Sequence, residues 1–168
     1  MQQKVAQLAA VQSGALPVFV DARADAEIDA ALRLVADTNL QVWVCTPNQL
    51  RPFADRFLQQ QVGVVVPPTV QTTYEWYFHD LVQAHRTGVR LLLAGDGGTS
   101  LRTTASALVG AGLDRASGRR LLMIDAAKYL AHGQTIGLAA GAHADLIVWS
   151  ADPLDLSSQL LWHSRGEQ

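Results

Sequence analysis

The chain has 168 residues, 49% of them hydrophobic and 17% charged, which is enough apolar material for one ordinary globular core and excludes a disordered chain. The formal net charge of −2 gives no general attraction to nucleic acid or anionic lipid, and no apolar run approaches the ~20 residues that span a bilayer, so neither nucleic acid nor membrane is an expected partner. The lone cysteine, Cys45, excludes an internal disulfide and a multi-cysteine zinc site.

Taken in chain order, Ala6 to Val11 has the texture of a helix end, stopped by Ser13-Gly14. Pro17-Val18-Phe19-Val20 is a short run of strand formers closing at Asp21. From Asp25 to Asp37 the apolar residues Ile28, Ala31, Leu32, Val35 and Ala36 fall at helical spacing, with Asp25 the expected N-cap. Val42 to Cys45 forms a second strand. Leu50 to Gln60 is a second helix, with Pro52 in the first turn where its missing N–H costs little. Val62 to Val66 is a third strand, closed by Pro67-Pro68.

Thr69 to Tyr77 reads as irregular and aromatic, and His79 to Arg86 as helix. Arg90 to Ala94 is a fourth strand, followed by the glycine-rich Gly95 to Ser100 and by helical stretches over Leu101 to Gly112 and Asp114 to Tyr129. Strand and helix thus alternate four times, with strands apolar on both faces, which is the pattern of a parallel sheet covered by helices. After Tyr129 the texture becomes β-rich: Ala144 to Trp149 and Gln159 to His163 are strands flanking the turn Asp152-Pro153-Leu154. The expected division is a β/α unit over residues 1–131 and a β-rich segment over 132–168. Arg115, Arg119 and Arg120 read as a solvated helix face. The start of the chain leads into helix without a secretory apolar segment, which makes the cytoplasm the default expectation.

The run Gly137-Leu138-Ala139-Ala140-Gly141-Ala142-His143-Ala144-Asp145-Leu146-Ile147-Val148-Trp149 is similar to the C-terminal signature of amidohydrolases, most visibly in its glycine–x–x–alanine–aspartate–leucine portion. Asp152-Pro153-Leu154 continues it in the pattern of imidazolonepropionase-related members, and Ile124 to Lys128 resembles a further family segment in which an asparagine and a proline have been replaced. Pro17 to Ile28 is similar to the region of the family's fifth barrel strand, and Gly88 to Asp96 to that of its eighth.

The resemblance implies an α/β fold: half of a TIM-like barrel, with a C-terminal piece of the composite β domain. A complete barrel takes ~250 residues, and four strand–helix units make half of one. It implies hydrolysis of carbon–nitrogen bonds with bound zinc, whose ligands sit at the C-terminal ends of strands. At the strand-five and strand-six positions, where the family has histidines, this chain carries Asp21 and Cys45. Both can ligate zinc in principle. Alternatively, they are relics of a lost site. Asp96 matches the family's strand-eight aspartate, a metal ligand and proton acceptor.

The expectation is a degenerate half without independent catalytic power. It would associate with a second copy, a missing N-terminal half or a partner subunit, since open parallel edges invite pairing. One alternative is a metal-dependent hydrolase active once that half completes it. Another is a small-molecule or anion binder using the 95–100 loop, which lacks the spacing of a P-loop or dinucleotide fingerprint.

Overall fold

The computed structural model describes residues 2–38, 40–68, 75–95, 100–130 and 146–164. Helix α1 (Gln2–Gln12) leads to β1 (Val18–Asp21), α2 (Asp25–Ala36) and β2 (Val42–Cys45). A 3₁₀ turn (Arg51–Phe53) precedes α3 (Ala54–Gln59), then come β3 (Gly63–Val66), α4 (Glu75–Arg86), β4 (Leu91–Leu93) and α5 (Ser100–Gly110). Helices α6 (Arg115–Met123) and α7 (Asp125–Leu130) follow, and β5 (Ile147–Trp149) and β6 (Leu160–His163) close the described chain.

Strands β1 to β4 form one sheet in sequential order, every neighbouring pair parallel. Each connection passes through a helix, as parallel neighbours require. The sheet has two unlike faces, because successive side chains on a strand alternate. Val18 and Val20, Val42 and Val44, Val64 and Val66, and Leu91 and Leu93 meet the helices. There they pack with Ile28, Leu32 and Val35 of α2, Phe57 of α3, Leu81 and Val82 of α4, and Leu108 of α5. Removing a side chain such as Ile28 or Leu32 from water contributes about 1.5–3 kcal/mol, and this face is the main core.

The opposite face carries two rows set by the register. Phe19 lies beside Trp43, and Trp43 beside Gly63; one pleat further along, Asp21, Cys45, Val65 and Leu92 stand side by side. Trp43 is fully buried although it lies outside the helix-side core. Its indole lies against Gly63, where a Cβ would come within 2.2 Å of the ring. This explains a glycine inside a strand: it admits a bulky neighbour. The Tyr129 ring of α7 covers Trp43 at 5.2 Å. On the edge strand β1 the same face is open, with Phe19 47% exposed.

Several boundaries differ from the sequence expectations. Ala24, not Asp25, is the N-cap of α2; Glu27 reaches back to the Ala24 and Arg23 amides at 3.0 and 2.8 Å. Asp25 instead accepts from Gln49 Nε2 at 2.7 Å. Helix α4 starts at Glu75, so Glu75 to Tyr77 is helical and not irregular, while residues 69–74 lie outside the described segments. The single helix expected from Asp114 to Tyr129 is two, broken at Ile124, with the buried Asp125 pairing back to Arg120 at 3.3 Å. Asp114 caps α6 through the Ser117 amide at 2.9 Å.

Strands β5 and β6 form an antiparallel ribbon with a register shift between Val148 and Trp149. The segment before β6 is fastened to the β/α unit by two clasps. Arg102 of α5 donates to the carbonyls of Pro153, Asp155 and Ser158 at 2.8, 2.7 and 3.1 Å, and its guanidinium lies 4.2 Å from the Trp149 ring centroid. Arg115 and Arg119 of α6 grip the Asp152 carboxylate at 2.8 and 3.0 Å. The basic face is solvent-exposed, as expected, and each of its arginines is also ion-paired. All three of its arginines are spoken for by Asp152 and Asp125. The ribbon itself stays open: Ile147, Val148, Leu160, Leu161 and Trp162 are all exposed.

Candidate functional site

Ligands of open α/β sheets gather at the C-terminal ends of the strands. Here β1 ends at Asp21 and β2 at Cys45, and the parallel register makes them direct neighbours. The chain turns sharply after Cys45, because Thr46 takes a left-handed backbone with φ of 54°. For a β-branched residue this conformation costs about 1–3 kcal/mol. The turn sets the Thr46 hydroxyl against Asp21 Oδ1 at 3.0 Å, and the Thr46 amide donates to the Val65 carbonyl at 3.2 Å. From the other side Arg23 Nε donates to the same Asp21 oxygen at 3.2 Å and pairs with the carboxylate.

Asp21 is thus held as an anion. The Arg23 hydrogen bond first, and the Thr46 hydroxyl second, keep its carboxyl below the ordinary aspartate value. Cys45 goes the other way. Burial pushes the thiol up, and the negative charge of Asp21 adds to that. A thiol in this setting is protonated at neutral pH and behaves as a small apolar group. Arg23 and Thr46 were missed by sequence reasoning. A polar residue within two places of a strand end was the available signal for each.

Zinc takes at least three protein ligands, and a thiolate ligand must lose its proton. Among the described residues, no group of three or more histidine, cysteine, aspartate or glutamate side chains converges on a point. Asp21 and Cys45 are adjacent, but they are two potential ligands where zinc takes three, and the carboxylate is already hydrogen-bonded by Arg23 and Thr46. These two residues do not by themselves make a zinc centre. Asp96 lies outside the described segments, as do Gly97, Gly98 and Thr99 of the glycine-rich loop.

The histidines and the aromatic run fall elsewhere. His79 sits 3.8 Å from Glu75, and His85 Nδ1 lies 3.1 Å from the Val89 carbonyl; both are on α4. His163 is exposed on β6, and His132 and His143 lie outside the described residues. Tyr77 and Phe78 are buried in the helix-side core while Trp76 is 49% exposed, so that aromatic run is mostly core.

A second group of polar chemistry, unanticipated from sequence, occupies the opposite end of the sheet. The Arg90 guanidinium lies 5.1 Å from the Trp43 ring centroid and 5.4 Å from that of Tyr129, and it donates to the Gln61 carbonyl. Residues 43, 90 and 129 are too far apart in sequence for any spacing rule to join them.

No protein-family model and no curated protein matches the chain. Among solved structures, an amidohydrolase from Thermotoga maritima MSB8 superposes with a TM-score of 0.76 at 21% identity. The match takes in 90% of this chain and 42% of that one, so the chain spans less than half of the protein it resembles. At that identity the likeness concerns the fold: the four-stranded sheet and its helices correspond to part of an amidohydrolase-type structure. It is consistent with a partial α/β barrel.

Proposed function

We propose that this protein is one half of an imidazolonepropionase-related amidohydrolase barrel and that it has no hydrolytic activity by itself. The observation that carries the reading is the state of the strand ends. Where the sequence resemblance calls for two histidines, the chain presents a carboxylate hydrogen-bonded by Arg23 and Thr46 and a partly buried cysteine. In this reading residues 1–131 form the half barrel and 132–168 the appended β unit. Zinc chemistry would require ligands from elsewhere, with Asp96 contributing the strand-eight carboxylate.

A second reading, an active metal-dependent hydrolase once a complementary half is supplied, is favoured by the open surfaces. Phe19 on the edge strand β1 and both faces of the β5–β6 ribbon expose large apolar side chains. Unpaired edges and apolar patches of that kind are normally covered. The complement would be a missing N-terminal half, a partner subunit or a second copy of this chain.

The two readings separate in one experiment. The purified chain is incubated with zinc and a panel of cyclic and linear amides, alone and with a separately expressed N-terminal amidohydrolase half that carries a histidine–x–histidine pair. The first reading predicts background hydrolysis by the chain alone. Turnover that appears only with the added half, and disappears in Asp96→Asn, supports the second. Turnover by the chain alone contradicts the first.

A further inference from the structure

Arg90 is a half-buried cation that no carboxylate answers among the described residues. Two aromatic rings and one backbone carbonyl hold it in place. Burial pulls its pKa below the ordinary arginine value. A guanidinium has five N–H donors, so the Gln61 carbonyl leaves most of them uncommitted among the described residues.

Arg90 borders a groove of about 420 Å³. Lys128 stands on the same groove, its Nζ 5.5 Å from the Tyr129 ring centroid, and it too has no carboxylate partner among the described residues. Among those residues, no acidic side chain lines the groove. The rest of its lining is mixed: Phe57, the 42% exposed Leu58, Val62, Val89 and the Tyr129 ring are apolar, and Gln61 is polar. The size suits a small organic ligand, for which ~300–1,000 Å³ is usual. Two cations lining one groove, with no acidic side chain among the described lining residues to offset them, create a positive potential there.

We propose that this groove binds a small organic carboxylate with an apolar tail, the carboxylate held between Arg90 and Lys128 and the tail lying on Leu58 and Tyr129. The guanidinium fork suits a carboxylate in two-pronged contact, and Lys128 adds a point charge. The groove is at the N-terminal end of the strands, away from Asp21 and Cys45, so the site stands or falls independently of the hydrolase reading.

Titration calorimetry at low ionic strength tests it, using hexanoate, acetate and hexanol as probes. Hexanoate is expected to saturate one site per chain. Acetate, which lacks the tail, binds at least about tenfold more weakly, and hexanol, which lacks the charge, gives no saturable heat. Lys128→Gln, a change that leaves the fold alone, weakens hexanoate about fivefold, and Arg90→Gln weakens it further. The proposal is overturned by absence of saturable heat up to about 10 mM hexanoate. Hexanol binding as tightly as hexanoate overturns it too, as does an unchanged affinity in Lys128→Gln.

Discussion

Gly63→Ala probes the inner face of the sheet most sharply. The added Cβ would lie 2.2 Å from Trp43 Cε3, 2.3 Å from Cζ3 and 2.7 Å from Cδ2. Carbon atoms rest at about 3.5 Å or more, so the indole has to retreat by about 1.3 Å. A bicyclic ring cannot bend, and Trp43 has no exposed surface to retreat into. The movement would push on Tyr129, 5.2 Å away, and on the Arg90 guanidinium stacked at 5.1 Å. Overpacking of this kind costs about 1–3 kcal/mol, and the upper end applies to a rigid group facing backbone. Replacing a strand glycine returns about 0.5–1 kcal/mol, which leaves a net loss of about 2 kcal/mol. Trp43→Leu alone leaves a cavity and costs about 2–4 kcal/mol. In the double variant the leucine vacates the space that the new methyl group needs, so the combined loss falls short of the sum by about 1–2 kcal/mol. Urea unfolding followed by far-UV circular dichroism measures all four proteins. If Gly63→Ala stays within about 0.5 kcal/mol of the parent, or if the two changes simply add, Trp43 does not rest on Gly63 and this account of the inner face is wrong.

Three further outcomes follow from the clasps and the strand ends. Arg102→Met removes three hydrogen bonds to carbonyls and the stack on Trp149; it should cost about 2–3 kcal/mol and speed proteolysis within residues 150–160, and unchanged protease resistance would speak against the clasp. Asp152 has its carboxyl lowered first by the Leu154 amide and then by Arg115. Because the folded value is depressed, its contribution is complete above the unfolded value of about 4 and is lost as pH falls through the folded one; protease sensitivity of the segment should rise below about pH 4, and Asp152→Asn should be sensitive already at neutral pH. Cys45 should react slowly with iodoacetamide at neutral pH and faster as pH rises, and Asp21→Asn should quicken it by removing the neighbouring negative charge; rapid neutral-pH labelling of the folded parent would contradict the protonated thiol.

The parallel sheet was legible because its strands are short, β-branched and apolar on both faces, as at Val42 to Cys45 and Gly63 to Val66, and because helical spacing separates them. What spacing could not show was where helices begin and break. The aromatic run around Trp76 hid the start of α4, since Tyr77, Phe78, Leu81 and Val82 share a buried side only once the helix is in place. The Leu121-Leu122-Met123-Ile124 run reads as one continuous helix, and nothing in that spacing marks the break before Asp125, whose carboxylate pairs back to Arg120. At the site, resemblance singled out Asp21 and Cys45, and the strand register makes them neighbours. Their ionisation states were not legible. They depend on Arg23, two residues along the chain from Asp21, and on the Thr46 hydroxyl and burial, which act on Asp21 and Cys45 once β1 and β2 pair. The arginine face on α6 is solvated as expected, but its partner Asp152 was not legible, because it lies 37 residues from Arg115.

Zinc titration of the purified chain, followed by calorimetry together with metal analysis after dialysis, tests the absence of an independent catalytic centre most directly. The account predicts no site tighter than the micromolar range and substoichiometric zinc, with affinity unaffected by Asp21→Asn or Cys45→Ser. One zinc held per chain through dialysis and lost in those variants would contradict it.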